Sequence, residues 1–236
     1  MFNNHNSTGA SNRRHVLMMV GVAGAVASVL PGGRTAFAAE PHGNVATAHV
    51  TAKQKPRSVK TSQTAAVLRD LWIGHIFWVR SVSLAAIEKN DSAMKAAEQQ
   101  AVANAQAIAA SIEPFYGVAA KEAFFKLLAG HYGAVKAYLV ATTGDNSSGQ
   151  TAATQSLTSN AEAIAVFLSK ANPNLPKEAL QSLLLAHGGH HIQQIQELKD
   201  RNYAAEAKTW ESMKGHIYQI ADATADALAK QFPKQF

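Results

Sequence analysis

The sequence predicts an all-α protein, an up-and-down helical bundle built from three pseudo-repeated helical hairpins of 56 residues. Three observations lead there. His75, His131 and His187 stand 56 residues apart, and Asn90, Asn146 and Asn202, like Ile108, Ile164 and Ile220, keep the same interval. Such self-similarity marks one supersecondary unit written more than once. Apolar residues recur at helical spacing in every unit, and no strand-like alternation of useful length interrupts them.

Residues 1–38 read as an export leader. Arg13-Arg14-His15-Val16-Leu17 follows a polar stretch, an uncharged run covers Val16 to Leu30, and Ala36-Phe37-Ala38 offers a small-x-small cleavage site before Ala39. The run holds 15 residues, short of the roughly 20 that a membrane span needs. Paired arginines ahead of a Gly- and Ala-rich run resemble a twin-arginine signal, which delivers folded cargo to the export machinery. The expected location is therefore periplasmic or otherwise exported, with no stable membrane span in the mature form.

Residues 39–60, with Pro41, Pro56, His42 and His49, have no apolar period and read as a flexible tether. The bundle domain is expected over 61–236. Without the leader's Arg13, Arg14 and Arg34, 19 Lys and Arg face 16 Asp and Glu, a modest net charge of +3. No dense basic stripe or Arg-aromatic interleaving accompanies it, so no nucleic-acid partner is expected. Cysteine is absent. Thiolate metal sites and thiol catalysis are excluded, and any metal must be held by nitrogen and oxygen.

The units run 65–120, 121–176 and 177–232. In the first, Thr64, Leu68, Leu71, His75, Trp78, Val79, Val82 and Ala86 place His75 in an apolar helical stripe. Phe124, Leu128, His131, Val135 and Tyr138 do the same in the second, and Leu180, Leu184, His187, His191 and Ile195 in the third. Turns are expected at Glu88–Asp91, Gly144–Gly149 and Asp200–Asn202. Pro114 and Gly117, then Pro173 and Pro176, mark the breaks between units.

The second helices carry Asn104, Asn160 and His216, each 29 residues after its histidine. Both members of a pair lie about 14 residues from their turn, or roughly 21 Å at 1.5 Å per residue, so they should face each other at one height. Six polar residues then form one layer. In the third unit His191 replaces Val79 and Val135, so His187 and His191 share a helix face at i and i+4, opposite His216. Two imidazoles one turn apart and a third from a neighbouring helix can converge on one ion.

The candidate ligands are His187, His191 and His216, with His75 and His131 as additional ones. Gly188 and Gly189 would let a helix or ligand approach closely, and His190 stands at the rim. Imidazole donors favour copper or zinc over iron; Glu-x-x-His pairs are absent, and Asp222, six residues past His216, is a poor hemerythrin-like match. Proton competition for such ligands is expected near pH 6.5. Arg80 and Glu113 are candidates for an ion pair.

No Gly-x-Ser-x-Gly elbow, phosphate-binding glycine loop, dinucleotide fingerprint or His-Glu-x-x-His occurs, so nothing points to catalysis. The competing reading is a non-catalytic interaction or envelope-stress scaffold, in which the histidines form a hydrogen-bonded structural layer.

Trp72-x-x-His75-x-x-Trp78-x-Arg80, Pro114-Phe115-Tyr116-Gly117, Leu127-Leu128-x-x-His131, Asn172-Pro173 and the ending Gln231-Phe232-Pro233-x-x-Phe236 resemble an uncharacterised bacterial all-helical family over about residues 65–236. The resemblance implies one helical domain and no defined activity.

Replacing Arg13 and Arg14 with Lys keeps both charges. The precursor should then remain in the cytoplasm if the twin-arginine route is used, as fractionation and product size would report; normal processing of the double-Lys chain would contradict that route.

Overall fold

The structure, a computed structural model, describes residues 56–236. The leader and most of the expected tether, including Arg13, Arg14, His42 and His49, lie outside the described residues. Six helices follow one another: α1 (Val59–Ile87), α2 (Asp91–Ala110), α3 (Glu113–Thr143), α4 (Ser147–Ala171), α5 (Lys177–Lys199) and α6 (Tyr203–Gln231). None is long and apolar enough to cross a membrane. The fold is all-α.

Helix α1 starts earlier than the expected boundary at residue 61. Ser58 caps it by accepting the amide of Thr61 at 3.1 Å, satisfying one of the orphan N–H groups at the helix start. Ahead of the cap, Arg57 is already tied to the bundle through Asp226 at 2.6 Å and Asp222 at 3.2 Å.

The turns after α1, α3 and α5 share one hydrogen-bond pattern. Lys89, Asp145 and Arg201 adopt φ of 55°, 51° and 56°, and the next residue's amide bonds back to the last helical turn: Asn90 to Ala85, Asn146 to Ala141 and Asn202 to Glu197, each at 2.8 Å. This Schellman closure satisfies carbonyls the ending helix would leave unpaired. The same asparagines then cap α2, α4 and α6 by accepting the amides of Ala93, Gly149 and Ala205. The first two turns are thus shorter than their runs of polar residues suggested, the third falls at Asp200–Asn202 as expected, and the helices they join run antiparallel.

Each helix packs on its chain neighbours, and α6 closes the ring on α1, while α1, α3 and α5 also touch one another inside it. Two apolar clusters fill the interior. One gathers Leu68, Trp72, Phe124, Leu128, Leu184, Met213 and Ile217; the other gathers Val79, Val82, Val135, Tyr138, Leu157 and Ile195. Alanines 97, 101, 105 and 109 form a buried stripe on α2, where small side chains allow close packing.

The Pro-Phe-Tyr-Gly and C-terminal motifs close the end of the bundle remote from these turns. The Tyr116 hydroxyl donates to Gln231 Oε1 at 2.6 Å and accepts from Asn172 Nδ2 at 3.1 Å. Phe115 lies against Phe232 and stacks on Phe236 with centroids 5.8 Å apart. Gly117 interrupts α3 with φ 80° and ψ 175°, a backbone conformation essentially reserved for glycine.

A Cβ at Gly117 would meet nothing within 4 Å, so Gly117→Ala isolates the conformational cost. It should destabilise the protein by roughly 1–3 kcal/mol, read from urea unfolding, whereas unchanged stability would contradict the strained turn.

Candidate metal centre

Four histidines meet where α1, α3 and α5 converge. His75 and His131 come from the middles of α1 and α3, and α5 supplies both His187 and His191, which the helical i, i+4 relation places on one face. Their relative exposures are 5%, 6%, 2% and 1%. Each offers a ring nitrogen, and these four atoms lie within 4.8 Å of one another. His187 Nε2 is 3.1 Å from His191 Nε2 and 3.4 Å from His75 Nε2.

All six separations between ring centroids fall between 4.5 and 5.8 Å. Four points with near-equal mutual separations make a tetrahedron. Its centre lies about 3.3 Å from each centroid, the distance expected when a metal sits about 2.0–2.1 Å beyond a ring nitrogen. Tetrahedral bonds of that length put donors about 3.3–3.4 Å apart; two nitrogen pairs here stand at 3.1 and 3.4 Å, and the whole set lies within 4.8 Å.

Hydrogen bonding within the cluster cannot satisfy it. A ring nitrogen carries either a proton or a lone pair, yet His187 Nε2 stands in two contacts, while the buried His131 Nε2 has no hydrogen-bond partner among the described residues. A cation at the centre would accept a lone pair from each ring. His187 Nδ1, also buried and unpartnered, would then carry the proton.

Burial pushes His75 down to about 3, with His131 adding to the effect. Burial likewise brings His131 to about 4, partly offset by the nearby Asn160 side chain. His187 and His191 are held well below the usual range by burial first, and then by the neighbouring histidines, His191 foremost for His187 and His75 for His191. The imidazoles are therefore neutral, with lone pairs available, and direct proton competition inside the folded protein falls well below the expected pH 6.5.

His216 is not in this group. Its Nε2 is 2.7 Å from the carbonyl of Leu183, and its ring faces His190 at 5.4 Å. Asn104 and Asn160 make the same kind of bond, donating to Leu71 at 3.0 Å and Leu127 at 2.9 Å. The six-residue layer expected from sequence is therefore two rings: histidines from the inner helices at the centre, and Asn104, Asn160 and His216 outside them, tied to the inner helices' backbone. Equal distance from a turn fixes height on a hairpin but not the direction a side chain takes.

The close approaches fall at other glycines than expected. A Cβ at Gly74 would lie 2.7 Å from Asn104 Nδ2, and one at Gly130 3.1 Å from Asn160 Nδ2, while at Gly188 and Gly189 it would meet nothing within 4 Å. Glycine before His75 and His131 admits the asparagine to the backbone carbonyl.

Arg80 pairs with Glu206, not Glu113. It forks onto both Glu206 oxygens at 2.6 and 2.8 Å, Gln194 Nε2 donates to the same carboxylate at 2.8 Å, and Glu113 pairs with Lys121 instead. Glu206 and Gln194 escaped the sequence reading. Their signal was polarity in the third unit at positions where the first carries Met94 and Val82. Asp222 is held by Arg69 at 2.6 Å, and Trp72 packs edge-on against His75 with centroids 5.9 Å apart. No family model matches the chain, and neither a curated protein nor a solved structure matches it.

The sign of the pH dependence follows from depressed folded values. Below pH 6.5 the unfolded chain takes up protons that the folded cluster refuses, so stability is full above that pH and falls as pH drops toward the folded values. With four such groups the loss between pH 7 and 5.5 is roughly 5 kcal/mol, comparable to the whole stability of a small domain. Acid unfolding of metal-free protein should therefore set in below pH 6.5, and His191→Val should move its midpoint to lower pH. An unchanged midpoint in the variant would contradict a buried neutral His191.

Proposed function

We propose that this chain is an exported metal-binding or metal-handling bundle built from three copies of one helical hairpin, with His75, His131, His187 and His191 as the ligands. The observation that carries the reading is the cluster of four buried, neutral imidazoles containing a ring nitrogen, His131 Nε2, that no group among the described residues satisfies. Borderline nitrogen donors without a carboxylate favour copper or zinc. Four protein ligands leave no open coordination position, which suits holding an ion rather than turnover.

The repeat is supported by the shared turn pattern and by three bonds spanning 33 residues, from Asn104, Asn160 and His216 to the preceding inner helix. In this reading two hairpins supply one histidine each, and the third supplies two because His191 stands where the others carry Val79 and Val135. Twin-arginine export fits a protein that folds around its ion before crossing the membrane.

Titration of metal-free protein with Zn(II) and Cu(II) tests the reading. One ion per chain should bind, with thermal stabilisation of about 2.7 kcal/mol at a hundredfold excess over the dissociation constant. His191→Val, which restores the residue of the other hairpins, should weaken binding at least tenfold, while replacing His42 or His49 should change little. Equal affinity in wild type and a His187→Ala/His191→Ala chain would favour the scaffold reading, with the histidines as a structural layer.

A further inference from the structure

Beside the buried four lies a second pair of imidazoles. His190 and His216 are half-buried, on α5 and α6, with ring centroids 5.4 Å apart and planes at 73°. That separation falls within the range found among the four. His190 immediately precedes His191, and His216 is near enough to His187 to disfavour a proton there. Both rings are partly exposed, unlike the buried four.

The bond fixes the tautomer of the neutral His216 ring. A carbonyl only accepts, so the nitrogen 2.7 Å from Leu183 O carries the proton, and in the neutral ring the lone pair is on Nδ1. Donating one ring N–H to a backbone carbonyl is how metal-binding histidines are commonly oriented. On the facing ring, His190 Nδ1 is buried without a hydrogen-bond partner. Glycines precede both residues, and a Cβ at Gly189 or Gly215 would meet nothing within 4 Å, so the surface beside the pair is open.

The structural task at position 216 does not require histidine. Asn104 and Asn160 do it in the other hairpins, beside Gly74 and Gly130, whereas the third hairpin has Ala186 at that place. The positions corresponding to His190 carry Trp78 and Ala134. Both imidazoles thus go beyond what the repeated packing needs, and both occur in the hairpin that also carries the extra ligand His191.

We propose that His190 and His216 form an outer two-imidazole site that captures a Cu(II) or Zn(II) ion and passes it inward to the buried four. This rests on the metal-binding reading above. Transfer is ligand exchange without redox change: the ion gives up two imidazole lone pairs and gains four. A two-ligand site holds its ion more weakly than a four-ligand one, so the gradient runs inward.

The test is the rate of loading of metal-free protein mixed with Zn(II), followed by the fluorescence of Trp72, which touches His75. His190→Ala combined with Ala186→Gly and His216→Asn removes both imidazoles while supplying the Gly-Asn arrangement of the other hairpins. Filling should slow at least tenfold, with the final one-ion occupancy and the melting temperature of the metal-free protein unchanged. An unchanged rate alongside normal wild-type binding would overturn the relay alone; absence of binding in wild type would overturn the metal reading and the relay with it. Should the triple variant fold poorly, His190→Gln alone decides by the same rate criterion.

Discussion

Four neutral imidazoles buried at the meeting of three helices constrain everything around them. Burying polar groups without adequate partners costs roughly 1–3 kcal/mol each, and the cluster has more ring nitrogens than its own hydrogen bonds can serve. The surrounding structure confines this cost to one level. Apolar clusters lie to either side of it, Trp72 covers one edge, and outer-helix amides bonded to inner-helix carbonyls fix the height of the layer.

The charged groups nearest the layer are arranged to leave it neutral. Glu206 is almost fully buried but is matched by the Arg80 fork and by Gln194, so it brings no free carboxylate to the cluster. The Arg57, Arg69, Asp222 and Asp226 network lies toward the bundle end where the chain enters and leaves. An ion at the centre would be held by nitrogen lone pairs alone, and its affinity would depend on how rigidly three helices present them.

Much of this was legible in the sequence because it follows from period and spacing. The interval relating His75, His131 and His187 placed them at one height, and the helical relation of His191 to His187 put both on the inner face. The asparagine turns were legible as well, since Asn both caps helices and follows the left-handed residue of each turn. What spacing could not give was azimuth. His216 has the height expected of a ligand, but on an outer helix its nearest polar partner is a backbone carbonyl. The Arg80–Glu206 pair was hidden for a related reason: its partners are 126 residues apart and meet only when α6 closes on α1, a contact that no local pattern encodes.

In the proposed metal centre, four imidazoles and no other donors would surround one ion. X-ray absorption on protein loaded with one equivalent of Zn(II) measures that directly. The account predicts four nitrogens at about 2.0–2.1 Å with the outer-shell scattering of four imidazole rings. A shell dominated by oxygen, or one containing two imidazoles or fewer, would contradict it.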